Sequence, residues 1–132
     1  MSEEELQEQI KKLETGFFKH NHYKVVQVEP GKNVILEAKL SSNSLNPYGY
    51  AHGGLIFGLG DHAMGIAAGL AGGPAVTQNA SITYLRPSTG KVLRAEAEVI
   101  KQGKVTCFVR CNFYDENNKL TASMDGSYYY MK

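Results

Sequence analysis

Hydrophobic positions change their period three times along the chain, and each change predicts an element. Leu6, Ile10 and Leu13, with Phe17 beyond, recur at helical spacing. Ser2 and Glu5 fit a capping box, and Glu3, Glu4 and Glu5 suit the positive end of a helix dipole. An amphipathic helix is therefore expected over 2–15, lying on the outside of the domain as a lid or edge cover. From Tyr23 the period falls to two. Strands are expected over 23–29 and 33–41, joined by the turn Glu29-Pro30-Gly31-Lys32-Asn33. In the second, Val34, Leu36, Ala38 and Leu40 share one face and Glu37 and Lys39 the other. Ser41 to Tyr50 reads as a polar loop feeding a long helix over 53–71, apolar almost all round.

Four more strands are expected at 75–86, 91–102, 104–115 and 119–130. Pro87-Ser88-Thr89-Gly90, a tight turn at Gly103 and Asp115-Glu116-Asn117-Asn118 connect them, and such short joints predict antiparallel hairpins. On the first of these strands Thr77, Asn79, Ser81 and Thr83 form a polar face opposite Val76, Ala80, Ile82 and Tyr84. The order gives one α+β domain over 1–132, an antiparallel sheet wrapped around a long central helix, with residues 1–20 an extra N-terminal helix and connector. Gly54, Gly58, Gly60, Gly65 and Gly69 each cost the central helix about 1 kcal/mol of propensity against alanine. That expense is explained if the sheet or a partner helix approaches the backbone closely.

A net charge of +1 over 132 residues offers no electrostatic footprint for nucleic acid or an anionic membrane surface. The apolar stretch 53–73 is long enough to span a bilayer, but Asp61 and His62 at its centre argue for a buried helix of a soluble protein. The acidic start, with no basic region before an apolar run, points to a cytoplasmic protein. Cys107 and Cys111 lie four apart on one strand, roughly 13 Å from each other, too far for a disulfide or a shared metal. They read as small core residues. His20 and His22 read as a solvated connector, and no metal site is expected.

Chemistry gathers around the central helix. Asp61 is a charge in an apolar segment, which must be paired, hydrogen-bonded or used. His52-Gly53-Gly54 sits where the loop becomes the helix, so its amides face whatever approaches the helix start, as in an oxyanion hole. Asn46 in the entering loop and Thr77 on the next strand are the remaining candidates, each equally at home as a turn or strand residue. His62 points about 100° around the helix from Asp61, and reads as a core or interface histidine. Seven helical residues hold Asp61 roughly 10 Å from the Gly54 amide, too far for both to touch one carbonyl. A second copy with its helix antiparallel would bring its acid to this helix start, predicting a homodimer, or a dimer of dimers, with composite sites.

Asn46-x5-His52-Gly53-Gly54-x6-Asp61, then Thr77, Ile82-Thr83-Tyr84-Leu85-Arg86-Pro87 and Lys101-Gln102-Gly103-Lys104, resembles the hotdog-fold acyl-CoA thioesterases of the phenylacetate-degradation type. The resemblance runs from about residue 43 to the C-terminus. It implies hydrolysis of an acyl-CoA, with coenzyme A part of the substrate and no separate cofactor. Asp61 would be general base or nucleophile, and the Gly54 and Gly53 amides would polarise the thioester carbonyl. His52 and Asn46 would orient substrate or loop, and Thr77 would place the carboxylate or water. Arg86, Lys91, Arg94 and Lys104 are the implied candidates for the coenzyme A phosphates. Two other readings share these residues: a hotdog enoyl-CoA hydratase or dehydratase using His52 and Asp61, and a non-catalytic acyl-CoA-binding module.

Overall fold

A computed structural model describes residues 2–31 and 33–131; Lys32 of the expected first turn lies outside the described residues. Its elements are α1 (Glu3–Leu13), α2 (Gly16–His20), β1 (Tyr23–Glu29), β2 (Asn33–Lys39), α3 (Gly53–Gly72), β3 (Ala75–Tyr84), β4 (Val92–Gln102), β5 (Thr106–Tyr114) and β6 (Leu120–Tyr130). Ser2 caps α1 as expected, its hydroxyl accepting the Glu5 amide at 3.1 Å. The helix expected over 2–15 stops at Leu13, and a second begins at Gly16, whose φ of +53° turns the chain. That turn sends Phe18 into the core at 1% exposure, a position that continuous helical spacing from Leu6 does not give.

The six strands form one antiparallel sheet in the order β1-β2-β4-β5-β6-β3. β1–β2, β4–β5 and β5–β6 are hairpins, as their short joints imply. The joint after β3 is not: β3 pairs with β6 at the far edge, three strand spacings from β4. Seven residues reach roughly 24 Å when extended, more than the roughly 14 Å across three spacings. The 85–91 segment therefore crosses the end of the sheet instead of folding back. On its way Ser88 accepts the Ala51 amide through its carbonyl, tying this crossing to the loop before α3.

α3 fills the concave face. Leu55, Leu59, Ala63, Met64 and Ala68 pack on inward residues of the strands, among them Leu36, Leu93, Ala95, Val109 and Phe113. This burial is the main stabilising contribution, on the order of 2 kcal/mol for each fully buried large side chain. Cys107 and Cys111 are free and wholly buried in the same core. The long apolar helix that by length meets the requirement for a membrane span is thus the core helix of the sheet.

Its glycines serve two purposes. A Cβ on Gly60 would lie 2.5 Å from Phe113 Cζ and 2.6 Å from Met124 Sδ, and one on Gly58 would lie 2.6 Å from the Tyr23 hydroxyl. These are the close approaches expected from the sequence. Gly65 and Gly69 are different: Gly65 would meet only Tyr128, at 3.6 Å, and Gly69 nothing within 4 Å. They border open space.

One inserted residue changes the expected faces of β3. Thr77 pairs with Tyr128 and Asn79 with Ser127, leaving Gln78 as a bulge. Ahead of the bulge Ala75 and Thr77 turn toward α3, and beyond it Ala80 and Ile82 do. Thr77 therefore does not share a face with Ser81 and Thr83, and Val76 is 47% exposed.

Candidate active site

Asp61 emerges half-buried from α3 beside the bulged start of β3. Its Oδ1 accepts the Thr77 hydroxyl at 2.7 Å and the Tyr128 hydroxyl at 2.7 Å. The two donors are cross-strand partners on β3 and β6, so the sheet itself sets their spacing. The Tyr128 hydroxyl also lies 3.1 Å from the Asp61 carbonyl oxygen, which fixes it against the helix. Among the described residues Oδ2 has no hydrogen-bond partner. Asp61 lines a crevice of about 640 Å³, where it, Thr77 and Tyr128 meet Gly65, Ile66 and Leu70 of α3. A carboxylate held by one oxygen, with the other left without a partner, can act on water or attack a carbonyl.

Tyr128 was not among the expected site residues. Its signal was the alternation in Tyr128-Tyr129-Tyr130, in which the first and third are buried and the second is 41% exposed. Both buried tyrosines hydrogen-bond carbonyls of α3, Tyr130 that of Ala68 at 2.9 Å. Burial, and then the hydrogen bond to and charge of Asp61, push the Tyr128 phenol far above its ordinary value, so it stays a proton donor. Tyr23 is raised in the same direction by burial and then by Asp61. Folded protein thus holds these protons more tightly than the unfolded chain, whose phenols titrate near pH ~10. Their contribution is present below that pH and lost as pH rises beyond it. Tyr128→Phe is expected to lower stability at neutral pH by roughly 1.5–3 kcal/mol, and to flatten the alkaline loss. Denaturant melts at neutral pH and above pH ~10 check both; an unchanged alkaline slope would show that this phenol does not contribute.

His62 stacks on Phe17 with ring centroids 5.9 Å apart and meets Phe18 and Tyr23 edge-on at 5.2 and 5.6 Å. Burial lowers its pKa more than the Asp61 charge raises it. The ring ties α2 to α3, a packing role that agrees with the expectation of a core or interface histidine.

At the other end of this stretch His52 is the N-cap of α3, and its Nδ1 accepts the Gly54 amide at 2.9 Å. The amide expected to be free is thus closed by its own cap, and a carbonyl reaching it must displace the imidazole. Gly53 accepts the Tyr84 hydroxyl through its carbonyl at 2.6 Å. Asn46 behaves as a loop fastener: its Oδ1 accepts the Tyr48 and Tyr50 amides at 2.9 and 3.1 Å. Asn46, Gly53, Tyr84 and Arg86 line a second crevice of about 390 Å³. It shares no residue with the Asp61 crevice. Asp61, Thr77 and Tyr128 therefore form one group and Asn46, His52, Gly53 and Gly54 another, roughly 10 Å apart along the helix.

The four basic candidates do not converge. Arg86 and Lys91 lie on the crossing near the start of α3; the Lys91 amide donates to Glu116 Oε1 and its side chain is exposed. Arg94 is committed to the sheet, donating to Glu96 at 2.6 Å and Asn118 at 2.6 Å and lying over the Tyr114 ring. Lys104 is exposed in the β4–β5 turn, past Gln102, which donates to the Ala71 carbonyl near the end of α3. The 20 residues of α3 put these two ends roughly 30 Å apart. Among the described residues no three His, Cys, Asp or Glu side chains come together to hold a metal ion.

The thioesterase superfamily matches the chain over residues 48–122. Human acyl-coenzyme A thioesterase 13 is 35% identical over 103 residues, covering 76% of this chain and 71% of that protein. The PaaI protein from the phenylacetic acid degradation operon of E. coli superposes with a TM-score of 0.88 at 25% identity, over 96% of this chain and 93% of that one. The smu.793 protein of Streptococcus mutans, solved bound to acetyl CoA, superposes with a TM-score of 0.76 at 30% identity, over 81% and 86%.

Proposed function

The chain belongs to the thioesterase superfamily, has the hotdog fold of its PaaI-like members and is a thioester hydrolase; from that premise we propose that its substrates are acyl-CoA thioesters. The observation that carries the mechanism is the asymmetric grip on Asp61, whose Oδ1 is held by Thr77 and Tyr128 while Oδ2 has no hydrogen-bond partner among the described residues, in a side chain that lines the crevice. Asp61 either takes a proton from the attacking water or attacks the carbonyl carbon itself. In either route the carbonyl oxygen gains negative charge as the new C–O bond forms. Collapse then breaks the C–S bond, and coenzyme A leaves as a thiol once its sulfur is protonated. If Asp61 attacks first, water hydrolyses the resulting anhydride and returns the carboxylate.

The developing oxyanion needs donors, and Asp61 has none of its own to offer. Gly54, helped by Gly53, supplies them at the start of α3 in a second copy packed antiparallel, so that a two-fold axis creates two equivalent sites. The His52 ring would then give up the Gly54 amide on substrate binding and turn to orient the thioester, while Asn46 keeps the loop closed. The antiparallel arrangement also suits the basic residues. It carries the neighbour's Lys104 end toward the Arg86 and Lys91 end of this chain, where the phosphates of coenzyme A would be held; Arg94 supports the same surface from within the sheet.

A panel of acyl-CoAs with release of free thiol measured tests the reading, and turnover of at least one member is expected. Hydration of enoyl-CoA without thiol release would replace it with the hydratase reading. Tight binding with neither reaction would leave a binding module.

A further inference from the structure

We propose that Tyr84 is a positioning residue for the hydrolysis, its phenol holding and polarising the peptide unit whose N–H receives the oxyanion. The inference rests on the reading that makes the Gly54 amide an oxyanion donor, and adds what tunes that donor. The Gly53 carbonyl and the Gly54 N–H belong to one planar peptide, so whatever grips one end orients the other. The Tyr84 hydroxyl donates to that carbonyl at 2.6 Å, and His52 Nδ1 accepts from that N–H at 2.9 Å. As one of the first amides of α3, the Gly54 N–H has no intrahelical acceptor. Its direction is therefore set by what holds the other end of its peptide.

The contact is built from both sides. A Cβ on Gly53 would stand 3.2 Å from the Tyr84 hydroxyl oxygen and 3.3 Å from its Cζ, tighter than an ordinary contact, so glycine at 53 lets the phenol come in. Tyr84 ends β3, where it pairs with Ala122. The next two amides, of Leu85 and Arg86, both donate to the Thr121 carbonyl at 2.8 and 3.2 Å. The ring thus reaches the helix start from a backbone fixed by β6. Two successive glycines leave this first turn free to rotate, and the phenol removes that freedom. A hydrogen bond at a carbonyl also draws charge along the amide and strengthens its N–H as a donor, by roughly 10–30%. His52 gains from this at rest, but a full negative charge on the substrate oxygen gains more. Partial burial raises the Tyr84 pKa, so the phenol keeps its proton at neutral pH. The competing role is packing alone, in which the ring fills space beside Gly53 and the hydroxyl adds nothing to the chemistry.

The chain contains two Gly-Gly peptides, Gly53-Gly54 and Gly72-Gly73. An HNCO spectrum of the full chain, labelled only with glycine carrying carbonyl carbon-13 and nitrogen-15, therefore reads the phenol-held peptide beside an internal control. Tyr84→Phe keeps the ring. It is expected to move the Gly53-Gly54 peak upfield in carbon and proton and to leave the Gly72-Gly73 peak in place. On the best acyl-CoA it should lower kcat about tenfold, with KM and the melting temperature unchanged. With 3,5-difluorotyrosine at position 84, a stronger donor used below the pKa of its own phenol, the peak should move the opposite way and kcat should match or exceed that of wild type. A Gly53-Gly54 peak that stays still in both variants would overturn the proposal. So would an unchanged kcat in Tyr84→Phe, or a loss confined to KM, either of which leaves the side chain to packing or binding. Absence of wild-type turnover on any acyl-CoA would defeat the hydrolase reading, and full turnover by Gly54→Pro the oxyanion reading. Neither alters what the Gly53-Gly54 peak reports, so these failures are distinguishable from that of the phenol.

Discussion

Asp61→Asn is expected to lower kcat on the best acyl-CoA by roughly a thousandfold while leaving the melting temperature and KM nearly as they were. The amide has the size of the carboxyl, and its oxygen still accepts from Thr77 and Tyr128, whose hydroxyls lie 2.7 Å from Oδ1. What disappears is the second oxygen, the one without a partner among the described residues. Replacing it with an NH₂ group removes both the base and the nucleophile, so the prediction holds for either route. Steady-state thiol release, run beside a thermal melt, separates lost chemistry from lost structure. Near-full turnover by the folded variant would leave the assigned role without support.

Gly54→Pro is the second large effect, and it tests the symmetry. Proline is tolerated in the first turn of a helix, where amides have no intrahelical acceptor, so α3 should still form. It deletes the donor that His52 now caps at 2.9 Å. Loss of one oxyanion donor is expected to reduce kcat by roughly 10²–10³-fold. The informative step is to mix this variant with Asp61→Asn after unfolding and refolding together. If acid and amide come from different copies, half the dimers are mixed and each regains one intact site, restoring roughly a quarter of wild-type activity. If both groups of a site came from one chain, every mixed site would carry a defect and nothing would return. The roughly 10 Å between the two positions on α3 is the reason to expect restoration.

The long-period features of this fold were open to reading from the residues. Alternation at Val34, Leu36 and Ala38 and at Leu93, Ala95 and Ala97 marks strands half-facing a core, and no other element explains a 20-residue apolar helix carrying one acid. Asp61 stood out because burying a charge is expensive, and Thr77 was reachable from the resemblance. What escaped depends on single residues with no periodic trace. Gly16 breaks the first helix through one positive φ, and nothing in Leu6, Ile10, Leu13 and Phe17 announces it. The 85–91 crossing looks like a hairpin because length limits only how far a connection can go, not where it goes. Tyr128 was hidden because its value comes from the strand beside it, at a register fixed by tertiary pairing. The occupied Gly54 amide was invisible for a related reason: a histidine ring can close the same helix start that it would serve.

Gln78 gives β3 an odd count between two stretches that each alternate normally. Parity is therefore information in this strand: sliding it by one position preserves the backbone ladder but exchanges a hydroxyl beside the acid for a side chain in solvent. Comparisons with relatives that place no gap near residue 78 where the relative lacks the extra residue will match Thr77 to a position of the opposite sense. For this scaffold, a one-residue difference in an edge strand counts as a change to the hydrogen bonds that hold Asp61.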